Sequence, residues 1–406
     1  MNTLWTRNFT IITLSSITSV FGNALAGFAI SLMVLDISDS VFLFVLYMVM
    51  FNLPRILVPV LAGPLLDSFS RIKTIYTLDF TSSALYLILF FVIGGGHFNF
   101  VFLLIMAFTL GTVDSACSVA YESLYPTLVT EGNFRKAYSV PSMIMPLTVV
   151  MMPLAAFLRD QIGVGPILLF ASGAFFIVAC LETQIRSNET HLRKKLEKYS
   201  LSEFKDSFLE GLEYIKGEKG LVVITSYFFV SMFAWASHTL LLPFFTNTPH
   251  LGVMLYTVVI GAGALGRMIG GVIQYRLELP ANRKFTIAIF VYITFSIIEM
   301  TYLFTPIYVM ALLAFTVGLL TVTSYNIRIS TTQSYIPNEK RARFNGTFQM
   351  IMNSGTILGQ LVAGGLAEVI PIRAVIVMFN AICLTAVFGI MIRGRKHVIP
   401  IFNRKV

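Results

Sequence analysis

Stretches of about twenty apolar residues recur along this chain, and they limit its folding more than any other feature. Pro166–Leu181 carries no charged side chain, and Phe285–Phe304 carries only Glu299. Runs of this length match a helix crossing the hydrocarbon core of a bilayer. With 56% of its 406 residues hydrophobic and 12% charged, the chain lacks the polar surface that a water-soluble domain needs. It lies equally far from the low hydrophobicity of disordered chains. In hydrocarbon only helix bundles and closed barrels satisfy every backbone N–H and C=O. A barrel would alternate polar and apolar residues in strands of about ten residues, and these runs do not alternate. The expected fold class is an all-α membrane protein.

Twelve transmembrane helices are expected, at about 9–35, 41–63, 74–94, 99–125, 138–158, 165–183, 220–245, 251–275, 285–304, 306–332, 345–368 and 372–392. The first apolar segment, Ile11–Leu35, is too long for the core of a removable signal peptide, so it is expected to remain as a helix. One long hydrophilic stretch divides the spans six and six. The expected organisation is an N-terminal six-helix bundle (1–183), a cytoplasmic linker (184–219), a C-terminal six-helix bundle (220–392) and a cytoplasmic basic tail (393–406).

Lysine and arginine concentrate in cytoplasmic loops. If both termini are cytoplasmic, 24 of the 29 basic residues fall on that side. Arg159 and Arg373 fall outside, and Arg55, Arg267 and Arg328 lie within helices. This asymmetry points to a multi-pass plasma-membrane protein, and it accounts for the net charge of +9 without nucleic acid. The basic residues are spread over short loops and form no continuous patch with interleaved aromatics. Cys117, Cys180 and Cys383 all lie in apolar segments, where cysteine serves as core filler. The chain has no His-Glu-x-x-His, no phosphate loop and no Gly-x-Ser-x-Gly, so neither an enzyme nor an ATP-driven pump is expected. No cofactor and no metal site are expected.

The two halves align at an offset of 207 residues. Gly63 then falls on Gly270, Val129-Thr130 on Ile336-Pro337, and Lys136 on Arg343, while Arg71-Ile-Lys73 resembles Arg283-Lys284 after a short insertion. Internal repeats are how transporters build two rocking halves around a central site. A channel or a membrane enzyme does not require such duplication.

At the loop after the second helix the sequence reads Gly63-Pro-Leu-Leu-Asp67-Ser-Phe-Ser-Arg71-Ile-Lys73. This resembles the signature of the major facilitator superfamily, with Ser68 and Ser70 where that signature has a basic residue and a glycine. Leu110-Gly111-Thr-Val-Asp114, Leu124-Tyr-Pro-Thr-Leu-Val129, Phe208-Leu-Glu-Gly211 and Gln333-Ser-Tyr-Ile-Pro337 resemble the family's macrolide-efflux and enterobactin-exporter subgroup of drug–proton antiporters. The fourth helix lacks the early arginine of many such antiporters (Thr109 stands nearby), and the fifth carries Pro141, Pro146 and Pro153 in place of the antiporter motif.

The resemblance implies the major facilitator fold: two pseudo-symmetric six-helix bundles. It also implies a gating latch of Gly63, Asp67, Arg71, Lys73 and Glu122. Gly63 would permit close approach at a helix end. Asp67 would sit at the positive N-terminus of the eleventh helix, and Arg71 would reach Glu122. In the second half Gly270 repeats Gly63, Gln274 replaces Asp67, and Glu278 is the candidate partner of Arg328.

A charge at mid-bilayer costs at least about 2.5–3.5 kcal/mol, so such residues are functional candidates. Arg55 lies eight residues before Gly63, about 12 Å from the helix end, and Asp114 lies at similar depth. The two are expected to form a buried pair, structural or coupled through substrate, with Asp79 competing for Arg55. Histidine as a residue type suits carrying a proton near neutral pH, so His238 is a candidate for that role and otherwise faces water. Asn23 is a candidate cargo contact or a helix–helix bond. Glu299 is expected to make a structural hydrogen bond, Arg267 to snorkel to the interface, and Gly355-x-x-x-Gly359 to pack helices. In the linker, Ser200-x-x-Glu203 is a capping box. Phe208, Leu212 and Ile215 follow at helical spacing, giving an amphipathic helix along the membrane or under the bundle.

The leading functional expectation is a monomeric secondary active exporter of amphipathic small molecules, drug-like compounds or a siderophore. It would work by alternating access, driven by a proton or other ion gradient across the lipid bilayer. A transporter of lysolipids or lipid-linked carriers, and a non-transporting sensor or scaffold on the same fold, are the alternatives.

Overall fold

A computed structural model describes residues 4–38, 40–59, 69–95, 99–130, 134–186, 201–276 and 279–404. For 134–136, 138–139, 141–147, 150, 201–207, 275–276, 338–339 and 342 it describes the backbone alone. Gly63, Asp67 and Glu278 lie outside the described residues, as does Ser200 of the capping box.

The described elements are helices. In chain order they are α1 (Arg7–Ser38), α2 (Val41–Asn52), α3 (Arg71–Gly94), α4 (Phe100–Leu124), α5 (Phe134–Ile162), α6 (Val164–Glu182), α7 (Leu201–Gly217) and α8 (Lys219–Trp235). There follow α9 (Leu241–Asn247), α10 (Val253–Arg276), α11 (Lys284–Thr301), α12 (Ile307–Tyr335), α13 (Asn338–Ala367), α14 (Ile372–Ala386) and α15 (Arg395–Phe402). Among the described residues eleven helical segments are long and apolar enough to cross a membrane. The 29-residue α5 lies between the fourth and fifth of them. α8 and α9 form one span, Lys219–Asn247, joined by a 3-10 turn at Ala236–Leu240.

The chain divides into two compact units. The first comprises Met1–Asp39 and Leu46–Leu201, the second Ser40–Val45 and Ser202–Val406. The core of the first includes Phe9, Ile12, Ile75, Leu124 and Tyr125. That of the second gathers Leu221, Tyr227, Tyr292, Phe348 and Met391.

Small residues set the helix spacing in each unit. A Cβ at Gly111 of α4 would fall inside the shell of the Phe51 carbonyl on α2. Gly270 and Gly266 place α10 against α12 in the same way: a Cβ at Gly270 would lie 3.0 Å from the Leu319 carbonyl. A Cβ at Gly355 would come within 2.8 Å of the Phe229 carbonyl, so Gly355-x-x-x-Gly359 packs α13 onto α8. Without a hydrophobic drive between helices in lipid, such close backbone contact is a main source of association.

Two amphipathic segments differ in place from a free linker and a free tail. The linker helix α7 lies in the second unit, with Ile215 in its core and Gly211 pressed against Thr347 and the Arg343 carbonyl of α13. Glu210 pairs with Arg343, and the Lys340 ammonium sits 4.7 Å from the Tyr214 ring centroid. Burial, and then the Glu218 charge, push the Tyr214 phenol above its ordinary pKa. The basic tail forms α15, whose Val398, Ile401 and Phe402 are buried in the same core, with the His397 carbonyl against Gly220. Its apolar positions recur three and four residues apart, which is one helical face.

Candidate functional site

The first unit carries a polar network at mid-span. Arg55 Nη2 lies 3.0 Å from Asp114 Oδ2, and Asn23 Nδ2 donates to Asp114 Oδ1 at 3.0 Å. The Tyr86 hydroxyl donates to Asn23 Oδ1 at 2.8 Å. Four spans thus contribute one residue each. Gly111 explains the register: it lets α4 meet the α2 segment at Phe51, and one turn further along each helix stand Asp114 and Arg55. Arg55 also lies over the Phe51 ring, 5.5 Å from its centroid. Tyr86 is held by stacking on Phe175 at 5.6 Å, and Gly22 leaves room for that ring.

This network is only partly covered. The Arg55 side chain is 53% exposed and that of Asp114 26%. An exposed guanidinium against lipid at this depth is expensive, so the exposure points to a water-accessible face of the unit. Asp79 does not compete for Arg55. It is buried and turns instead to Glu182 of α6, with the Cys117 thiol donating to its Oδ1 at 3.7 Å.

In the second unit, His238 and Glu299 come together, with Nε2 3.1 Å from Oε2. The imidazole stacks on Trp235 with centroids 4.0 Å apart. Glu299 is 4% exposed and also has the Tyr302 hydroxyl beside it. Glu299 therefore lies in ion-pair reach of a titratable partner, although neither His238 Nε2 nor Glu299 Oε2 makes a hydrogen bond among the described residues. Arg328 is boxed by Phe228, Tyr325 and Phe348 at 5.0, 5.4 and 5.2 Å from the ring centroids. Its expected partner Glu278 lies outside the described residues, and no carboxylate pairs with it among those described. Among the described residues its charge is met by cation–π contact.

Of the expected latch, Arg71 donates from Nη1 to the Ser123 carbonyl at 2.9 Å, and Glu122 is exposed. No Arg71–Glu122 ion pair forms among the described residues. Ser70, where the signature has glycine, caps α3 by accepting from the Lys73 amide at 3.2 Å. Glu182 gave no signal in the sequence, because it stands at the end of the sixth apolar run, where a carboxylate ordinarily meets headgroups or water. The His238–Glu299 pairing was invisible because helix spacing says nothing about contacts between helices. Among the described residues no group of three or more histidines, cysteines and carboxylates is placed to hold a metal ion.

Eleven apolar spans among the described residues, in two units with charged networks inside them, define the class of multi-pass membrane proteins. More narrowly, the chain belongs to the Major Facilitator Superfamily, which matches residues 12–359. A curated relative, the uncharacterized MFS-type transporter YkuC of Bacillus subtilis (strain 168), is 24% identical over 286 residues. That match spans 67% of this chain and 66% of the relative, just under two thirds of its length. Among solved structures, the nucleoside transporter NupG superposes with a TM-score of 0.71 at 11% identity, over 95% of this chain and 98% of NupG. A bacterial homologue of the iron transporter ferroportin gives 0.70 at 18% identity, over 97% and 98%. A bacterial homologue of the human lysosomal transporter Spinster gives 0.63 at 14%, over the full length of both. At these identities the likeness speaks for the fold.

Proposed function

We propose that this protein is a secondary active exporter of amphipathic small molecules, drug-like compounds or a siderophore, working by alternating access and driven by protons. The partly open Arg55–Asp114–Asn23–Tyr86 network carries this reading. It puts a salt bridge with spare hydrogen-bonding capacity at mid-depth, ringed by Phe51 and Phe175, where a molecule with an apolar body and one polar group finds both kinds of contact. Cargo engages Asp114 and Asn23 and thereby loosens Arg55. Among the described residues this network has one cation and one anion, which suits weakly charged or cationic amphiphiles better than a polyanion. The 36 phenylalanines and 18 methionines of the chain supply adaptable apolar surface, though most face lipid or core. The sequence resemblance to macrolide and enterobactin exporters names the first cargoes to try. Both termini and the loops rich in lysine and arginine are assigned to the cytoplasm. The latch of Gly63, Asp67, Arg71, Lys73 and Glu122, and its second-half counterpart of Gly270, Glu278 and Arg328, are assigned to gating.

Everted vesicles from cells producing the protein are expected to take up a lipophilic cationic dye or a macrolide when energised, and Asp114→Asn is expected to lower that rate at least tenfold. Asp114→Asn moving the same cargo at the same rate, with the same pH dependence, would remove the network from the mechanism. Uptake of lysolipid with no uptake of dye, macrolide or siderophore would transfer the chain to the lipid-carrier reading.

A further inference from the structure

The first unit also holds a pair of carboxylates with no cation beside them among the described residues. Asp79 is the ninth residue of α3 and is 3% exposed; Glu182 closes α6 and is 2% exposed. The two side chains are within hydrogen-bonding reach of each other. Consecutive numbering of the spans makes α3 and α6 antiparallel. Side chains lean toward the N-terminus of their own helix, so the two carboxyl groups lean toward each other. The helices are clamped nearby by reciprocal bonds, from Ser83 Oγ to the Ser172 carbonyl at 2.8 Å and from Ser172 Oγ to the Ser83 carbonyl at 2.9 Å.

Among the described residues the surroundings offer donors but no positive charge. The groups facing the pair are Cys117, Asp114 and Tyr121 from α4 and Ser15 from α1. No lysine or arginine is among the charges acting on either carboxylate. Ser15, 1% exposed, lies beside Glu182, and its hydroxyl and Glu182 Oε2 both lack a hydrogen-bond partner. An ionised carboxylate only accepts hydrogen bonds, so two of them bond to each other only when one carries a proton. Two like charges in a shared buried site cannot both persist cheaply. Two buried carboxylates within hydrogen-bonding reach of each other, with no cation beside them among the described residues, are accounted for by one proton between the acids.

We propose that Asp79 and Glu182 form a proton-binding site that holds one proton between them, and that its release and return is the ion movement that drives export. The coupling half of this rests on the proton-driven reading above; the shared proton does not. On release, the proton leaves the pair at its Glu182 end, where α6 closes, a short way from the linker-side surface where Arg7 donates to Gln184 Oε1 at 3.1 Å. The Ser15 hydroxyl then turns to donate to Glu182, and Cys117 continues to donate to Asp79. Cargo engaging Asp114 changes what screens that carboxylate, whose charge acts directly on Asp79. The two sites are thereby linked across α4 through one turn, Asp114 to Cys117.

Infrared spectroscopy of the purified protein in lipid, with no cargo, tests the shared proton. A protonated-carboxyl band is expected at neutral pH. Asp79→Asn and Glu182→Gln, read separately, are each expected to move its titration, and the double variant to abolish it. Absence of the band in the wild type, or its survival in the double variant, overturns the site. Coupling is read in proteoliposomes with the lipophilic cationic dye: Glu182→Gln is expected to keep dye exchange without a gradient and to lose acceleration by a pH gradient at least tenfold. Full retention of that acceleration overturns the coupling role. If the wild type moves no dye at all, the export reading falls while the infrared result still decides the site.

Discussion

At the residue scale, the absence of one side chain at Gly111 controls the geometry of the polar network. The Phe51 carbonyl occupies the space a Cβ would need, and carbonyls of a helix backbone cannot swing aside. Gly111→Ala is therefore expected to cost about 1–3 kcal/mol by overpacking and to separate Arg55 from Asp114. A fall in melting temperature with reduced transport is the expected result. Gly173 of α6, with nothing within 4 Å of its Cβ position, is the control: alanine there is expected to raise stability by about 0.5–1 kcal/mol. Equal effects at the two positions would contradict the packing account. Ser70 supplies a gentler case. As the N-cap of α3 it replaces a glycine of the family signature with a side-chain acceptor, and Ser70→Ala is expected to cost about 1 kcal/mol.

At the element scale, twelve runs of apolar residues specified twelve helices, because hydrocarbon leaves the backbone no alternative. Depth counting along α2 and α4 also brought Arg55 and Asp114 to one level, since helix rise is fixed. What stayed hidden was lateral. Nothing in the spacing of α6 says that Glu182 turns inward to Asp79, or in that of α11 that Glu299 meets His238. Those contacts depend on which helix faces which. Hydropathy likewise marks α7 as amphipathic without saying where its apolar face goes. It goes onto α13, and Gly211 is the close point. Gly211→Leu is expected to displace α7 and expose it to limited proteolysis, whereas Glu210→Gln is expected to change melting by less than about 1 kcal/mol, because the Glu210–Arg343 pair is half exposed. Equal protection of α7 in both variants would remove Gly211 from its docking.

At the scale of the whole molecule, composition and charge act together. Apolar residues match the solvent of the spans, and most of the charges lie at loop ends; within the spans Arg55 meets Asp114, Arg328 lies against aromatic rings and Asp79 lies beside Glu182. The loops are where topology is written. The turn after the tenth span carries Lys340, Arg341 and Arg343, whereas the turn after the seventh, Thr248–Gly252, carries no lysine or arginine. Moving the basic turn outward across a negative-inside membrane is opposed by both desolvation and potential. In a background with Cys117, Cys180 and Cys383 replaced, Lys340→Cys is expected to react with an impermeant maleimide only in everted vesicles, and Asn247→Cys only in intact cells. Both positions lie on exposed surface, so reagent access does not decide the outcome. Labelling with the opposite sidedness would invert the assignment of the termini. The linker-side end of α6, and with it the exit route of the proposed Asp79–Glu182 proton, would then face outward, and a proton released there could no longer drive export in the direction proposed.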